Sequence, residues 1–345
     1  MNNNPSILLI YTGGTIGMKQ DPETSALKPF DFSQILEEVP ELKKFGYKID
    51  TYSFSPLIDS SDVDIPFWQH LAELIEKNYY DYDGFVVLHG TDTMSFSASA
   101  ISFMLENIEK PIVFTGSQLP IGMLRTDGKE NLISSIEIAA TRDEDGHPMV
   151  PEVCIYFENR LYRGNRTTKY NAENFMAFRS ANYHVLADVG IHIKFFRQFI
   201  RYPEKWGKKL IVKSKMDPAV LIIKVIPGLS EKMLGALTHI EGTKVIILET
   251  FGSGNAPSGK WFTEYIKDAI DRGIIVFNVT QCHAGKVDMD TYSTGKSLKN
   301  IGVIGGSDCT TEAAVTKAFF LLGQYTDKEE IIKLLGKNIR GELTE

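Results

Sequence analysis

SILLIYTGGTIG (6–17) and GFVVLHGTDT (84–93) follow one pattern: an apolar, β-branched run of strand length that stops abruptly in a turn of Gly, Thr and Asp. In a parallel sheet the mouths of the strands are where ligands sit. Thr15 and Thr91 therefore stand where a nucleophile or its helper would stand. The pattern points to acyl chemistry carried by threonine.

Working outward, short β-rich runs at 6–11, 47–54, 84–89, 111–115 and 152–158 alternate with helical ones. IPFWQHLAELIEKNY (65–79) sets Ile65, Trp68, Leu71, Ala72, Ile75 and Tyr79 on one face at helical spacing, and SFSASAISFMLEN (95–107) and DGKENLISSIEIAAT (127–141) pass the same test. Repeated βα alternation implies a mostly parallel sheet covered by helices on both faces. KFFRQFIRYPEKWGKKLIVKSKM (194–216) breaks the rhythm, and a second series follows, with strands at 219–226, 243–250 and 273–279 and helices near 230–238, 260–271, 309–323 and 327–338. The expected organisation is a larger N-terminal α/β domain (1–194) with a doubly wound, mostly parallel sheet, a linker (195–215), and a smaller C-terminal α/β domain (216–345).

With 345 residues, 43 % of them apolar and 23 % charged, the chain has enough core for two domains, which excludes disordered and fibrous classes. A formal charge of −7 gives no electrostatic reason to bind nucleic acid or an anionic membrane, so a small-molecule substrate is expected. The start, MNNNPSILLIYTGG, has no basic leader region and its apolar run is short, so it reads as a first strand rather than a secretion signal. Cys154, Cys282 and Cys309 are odd in number and widely spaced, which suits a reducing cytoplasm and indicates neither a disulfide framework nor a zinc site. No stretch reaches the roughly twenty apolar residues that span a bilayer.

Each motif has a plain structural reading beside the chemical one. TGGTIG (12–17) fails as a dinucleotide loop because Thr12 stands at the first glycine position, and as a P-loop because no Lys follows its last glycine. It remains a turn presenting Thr15, or a structural Thr turn. In HGTDT (89–93), Thr91, Asp92 or Thr93 would serve equally as a helix cap, and the same helix N-terminus would stabilise an oxyanion. His89 reads as a packed turn residue.

NRLYRGNRTTKYNAENF (159–175) carries Arg160, Arg163, Arg166 and Lys169, cations that usually lie solvated on a hairpin surface. A lysine after two threonines can take a hydroxyl proton if desolvated, but spacing does not choose Lys169 over its neighbours. PLIDSSDVD (56–64) offers Ser60 and Ser61 between acids, or simply leads into a helix. FGSGNAPSG (251–259) nearly makes a dinucleotide fingerprint but has Pro257 at the last position, so its glycines suit close approach of a ligand or a neighbouring subunit. The basic, aromatic segment near 195–215 is a weak nucleic-acid patch in an acidic protein, and His283 has no second metal ligand at useful spacing.

YTGGTIGM, LHGTDTM, DSSD, FTGSQLP, RLYRGNRTTK, GSGNAP and VIGGSD, in this order and across nearly the whole chain, strongly resemble the bacterial cytoplasmic (type I) L-asparaginases. The resemblance implies hydrolysis of L-asparagine to L-aspartate and ammonia, without a cofactor or metal, by a tetramer built as a dimer of dimers. It also implies roles for single residues. Thr15 would be the nucleophile that carries the acyl group. Thr91, Asp92 and Lys169 would form a second triad in which Lys169 acts as base toward Thr91. Asp92 would also hold the substrate ammonium, and Asp59, Ser60 and Ser61 its α-carboxylate. Ser117 and, from a partner subunit, Asn255 would line the site. A zwitterionic substrate explains the division: a carboxylate meets the ammonium, hydroxyl or N–H donors meet the carboxylate, and the amide is left over Thr15.

Two departures stand out. Relatives carry a tyrosine in the loop after the first threonine turn, where KQDPETSALKPF (19–30) has Ala26 and Leu27, so a water, Thr91 or another residue would assist Thr15. Asparagine-activated relatives place an arginine where this chain has Glu249, which would repel a carboxylate; although Thr168 and Cys282 match the rest of that effector region, weak or absent activation is expected, and a sigmoidal rate curve would refute it. The nearest alternative is the amidotransferase subunit that releases ammonia for tRNA-bound glutamate, whose extra N-terminal domain is at odds with a first strand near residue 6. A nucleotide-binding sensor is the alternative from another class, and the missing P-loop lysine counts against it.

Overall fold

The computed structural model describes residues 4–20, 27–29 and 35–345, which divide into two compact units, Met1–Ser214 and Lys215–Glu345. The first is built on an eight-stranded sheet. Its strands are β1 (Ser6–Tyr11), β2 (Lys48–Ser53), β3 (Gly84–Leu88), β4 (Ile112–Thr115), β5 (Val153–Phe157), β6 (Arg160–Arg163), β7 (Ala187–Val189) and β8 (Ile193–Phe195). Their spatial order is β8-β7-β6-β5-β4-β3-β1-β2. The first five run parallel, as the alternating pattern predicts. β6, β7 and β8 continue the sheet antiparallel. The parallel part is doubly wound: the chain leaves β1 to one side for β2 and returns on the other for β3, so the order reverses between β1 and β3.

Both faces of the parallel strands are buried. Ile7, Leu9, Tyr11, Val86, Leu88 and Val113 share one core with Leu132 and Ile136 of the helix Gly128–Ala140. The alternate residues, among them Leu8, Ile10, Phe85, Val87 and Phe114, are buried as well. Two further helices are α1 (Ile65–Asn78), capped by Asp64, and α2 (Met94–Met104); Gly128–Ala140 is α3. α2 stops short of the predicted residue 107 because Leu105–Glu106 leaves it to pair antiparallel with Ile211–Val212.

Arg160 is exposed, as expected of this segment, but Arg163 and Arg166 depart from the expected solvated surface. Arg163 is buried and makes a two-pronged bond to Glu152, Nε to Oε2 at 2.6 Å and Nη2 to Oε1 at 3.0 Å, and Arg166 is buried beside it under the Tyr183 ring. The segment 195–215, read from the sequence as a linker, lies up to Ser214 within the first unit, where Ile211–Val212 forms its strand pair.

The second unit has a four-stranded parallel sheet in the order β9 (Val220–Lys224), β10 (Val245–Thr250), β11 (Ile275–Thr280), β12 (Ile304–Gly305). Its helices are α4 (Glu231–Thr238), α5 (Lys260–Asp271), α6 (Ser293–Asn300), α7 (Thr311–Gln324) and α8 (Lys328–Leu335). The polar α6 buries only Gly295 and Leu298, which is why no apolar period announces it. Inside this unit Lys317 of α7 is fully buried: its Nζ lies 2.6 Å from Oε1 of the equally buried Glu342 and donates to the carbonyls of Leu335, at 2.9 Å, and Lys337. Among the described residues no helix is long and apolar enough to cross a membrane.

Candidate active site

The carboxyl ends of β4, β3, β1 and β2, neighbours in the sheet, open on one edge. The turns that follow them carry Ser117 and Gln118, Thr91 and Asp92, Thr15, and Asp59 to Ser61 respectively. The order reversal between β1 and β3 sets the two threonine turns side by side, at the position where open α/β sheets bind ligands.

Close packing of these turns depends on glycine. Gly14 has φ +88°, and a Cβ there would run into the backbone of Gly90. Thr12 binds the first turn down, its N–H and hydroxyl both donating to the Leu88 carbonyl at 3.0 and 2.9 Å. Thr15 then opens the single turn Thr15–Gly17, half-buried, and its hydroxyl makes no hydrogen bond to the described residues.

In the second turn the half-buried Thr91 hydroxyl accepts from Lys169 Nζ at 2.8 Å, and the same Nζ donates to Asp92 Oδ1 at 2.5 Å. The ammonium is largely shielded, with the Lys169 side chain 19 % exposed, whereas Asp92 is open at 62 %. Lys169 reaches this place because the chain turns back after β6: Gly164 packs on Ala98 in the middle of α2, and Thr168–Lys169 pairs with Phe178–Arg179.

His89 is fully buried and its imidazole has a fixed role. A carbonyl only accepts, so Nδ1 carries the proton that it donates to Gly90 O at 2.7 Å; Nε2 then accepts from Ser97 Oγ at 2.9 Å, and that oxygen accepts from Trp68 Nε1 at 2.9 Å. Burial pushes its pKa down to about 4.

Asp59 caps the turn Ser60–Asp62, accepting from the N–H and the hydroxyl of Ser61, both at 2.8 Å. These bonds hold its carboxyl below the usual range. Ser60 is buried, with its side chain against Gly90. Ser117 is buried too, donating to the Leu119 carbonyl at 2.6 Å.

Gln118 was not singled out from the sequence. Its side-chain N–H group donates to the carbonyls of Ala172 and Asn174, at 3.3 and 3.1 Å, just past Lys169, and its Oε1 lies 3.5 Å from Thr91 Oγ1. The backbone N–H groups of Gln118 and Leu119 are in turn held by the Asp127 carboxylate. The available signal was positional: FTGSQLP follows a strand adjacent to β3.

Of the remaining expectations, Asn255 lies in the second unit, its Oδ1 accepting from Thr294 Oγ1 at 2.8 Å. Glu249, at the end of β10, accepts from Thr311 Oγ1 at 2.6 Å and lies 3.6 Å from Lys224 Nζ, and Cys282 is exposed. Thr168 stands beside Lys169, paired with Arg179. Ala26 lies outside the described residues; Leu27 begins the short strand Leu27–Pro29 that pairs with Met18–Gln20.

Comparison with known proteins matches both units of the chain. Residues 6–201 match the family model "Asparaginase, N-terminal", and residues 219–335 match "Glutaminase/Asparaginase C-terminal domain". The chain is 44 % identical over 341 residues to L-asparaginase 1 of Escherichia coli strain K12, covering 98 % of each. The crystal structure of L-asparaginase I from Vibrio cholerae superposes with a TM-score of 0.90 at 38 % identity, covering 99 % of this chain and 100 % of that one. The thermostable L-asparaginase from Thermococcus kodakarensis gives 0.87 at 31 %, with 99 % of each chain covered. With both of its units matched and the doubly wound sheet shared, the chain belongs to the asparaginase family.

Proposed function

We propose that this chain hydrolyses L-asparagine to L-aspartate and ammonia through a threonine acyl-enzyme. The observation that carries the reading is the contact of one shielded lysine with both Thr91 and Asp92, next to a turn that presents Thr15, whose hydroxyl makes no hydrogen bond to the described residues.

In this reading Thr15 Oγ attacks the side-chain amide carbon. Lys169 acts as base toward Thr91, and the Thr91 oxygen in turn draws protons from the attacking groups. The proton from Thr15 passes to the departing nitrogen, which leaves as ammonia, and the acyl ester remains on Thr15. Water then attacks that ester, gives up a proton through the same relay, and the proton returns to the Thr15 oxygen as aspartate leaves. Asp92 receives the α-ammonium, an arrangement its open carboxylate allows. Ser60 and Ser61 receive the α-carboxylate; Asp59, already engaged with Ser61, orients that loop. Backbone N–H groups of the second turn would stabilise the oxyanion.

The test is ammonia release from L-asparagine by variants whose fold is checked by circular dichroism. Thr15→Ala, Thr91→Val and Lys169→Met are each expected to lower turnover by on the order of a thousandfold or more, as loss of one member of a cooperating set does. Turnover within about tenfold of the parent in any of them would overturn that residue's role. The reading extends to a homotetramer in a reducing cytoplasm, supported by the resemblance and by three free thiols.

A further inference from the structure

We infer that Thr93 is a positioning residue whose hydroxyl tethers the Asp59–Asp62 loop to the second threonine turn and thereby sets the substrate-carboxylate side of the site. The inference rests on the reading of Ser60 and Ser61 as the carboxylate-holding pair.

Thr93 is the N-cap of α2, a position where a threonine hydroxyl normally accepts from an N–H of the helix's own first turn. Here it makes no such bond. Its hydroxyl points away from the helix and donates to the backbone carbonyl of Ser60, at 2.6 Å and across 33 positions of sequence. The residue forgoes a local bond for a long-range one between two different strand ends.

The same turn grips Ser60 a second time. Gly90 presents a bare Cα to it, and a Cβ at Gly90 would run into both Cβ and Oγ of Ser60. Ser60 is 5 % exposed, while Asp59, Ser61 and Asp62 around it are all exposed. A single helical turn of this kind has little of its own to hold it. Its internal cap, Asp59 on Ser61, fixes its shape but does not fix its place relative to Thr91. The contacts that place it against the second turn are those made by Ser60, to Thr93 and Gly90, while Ile58 just ahead of it donates to the Thr12 carbonyl of the first turn at 2.9 Å. The turn that carries Thr91 and Asp92 therefore also carries a handle of the loop opposite, and residues 90 and 93 help to set the distance between the ammonium-binding and carboxylate-binding groups.

This arrangement separates binding from chemistry. The α-carboxylate is present unchanged in substrate and transition state, so loosening its pocket removes binding common to both, which raises KM and leaves kcat in place. One neutral hydrogen bond is worth roughly a five- to tenfold change in affinity. A purely structural role for the hydroxyl would instead move stability, or kcat and KM together.

The experiment is steady-state ammonia release from L-asparagine by the full chain carrying Thr93→Val, Thr93→Ala or Thr93→Ser, with Ser61→Ala as comparator and a melting curve for each. Thr93→Val and Thr93→Ala are expected to raise KM by about five- to tenfold with kcat within about twofold. Thr93→Ser, which keeps the hydroxyl, is expected to restore KM to within about twofold. An unchanged KM in both Thr93→Val and Thr93→Ala overturns the tether, as does a fall in kcat with KM unchanged. The two failures are distinguishable: if Ser61→Ala raises KM and the Thr93 variants do not, only the tether is wrong, and if all of them leave KM unchanged, the carboxylate pocket itself lies elsewhere.

Discussion

One residue before Gly90, a ring that has to stay neutral holds the second threonine turn in place. His89 has a hydrogen-bond donor on one side and an acceptor on the other only as the Nδ1–H tautomer, and burial keeps its pKa near 4 against an ordinary value of 6.5. Between those values the unfolded chain binds a proton that the folded chain refuses. The contribution is therefore complete above about pH 6.5, is lost as pH falls through about 4, and amounts to about 3 kcal/mol. Urea midpoints measured from pH 7 to pH 5 are expected to fall less steeply for His89→Asn than for the parent; equal slopes would show that another group titrates. At this scale the sequence was uneven. The strand ends that carry Thr15 and Thr91 were legible because strand-then-turn grammar is local. Lys169 was not separable from Arg163 and Arg166, because what buries those two is a tertiary arrangement, Glu152 on one side and the Tyr183 ring on the other. Gln118 was missed for a related reason: its partners, the carbonyls of Ala172 and Asn174, are more than fifty positions away.

At the scale of elements, the site is a contact between turns, and its tolerance is set by backbone clearance. Gly14→Ala would force a side chain onto a residue with φ +88° and against the Gly90 backbone, so the two threonine turns would have to separate. The expected outcome is a loss of kcat/KM of about tenfold or more together with a melting temperature lowered by several degrees, read by kinetics and calorimetry. Helices and parallel strands were legible to within a few residues wherever an apolar period ran through them, α1 and β1 being the clearest. What escaped were elements held by neighbours rather than by pattern: the antiparallel β6 to β8, the polar α6, and the early end of α2, where a two-residue strand takes over.

For the whole molecule, alternating βα units made both sheets legible, and the doubly wound order places the turns that carry Thr15, Thr91, Ser117 and Asp59 to Ser61 on one edge, with Lys169 brought to them by the antiparallel extension. The second unit contains a different kind of dependence. Lys317 and Glu342 are both fully buried, and removing one leaves the other charge without compensation. Glu342→Ala is expected to cost about 3–5 kcal/mol, and adding Lys317→Met to recover part of that loss, because no buried charge then remains; urea titrations of the single and double variants measure both. The pair also has a meaning in time. A chain made from its amino end contains α7 before it contains residue 342, so the core around that helix is completed only once the C-terminal segment has followed it. The first unit, whose residues are all present by Ser214, faces no such wait. The unit that bears the threonines is thus free to fold first, and the other completes its core last, with the arrival of a single carboxylate near the chain's end.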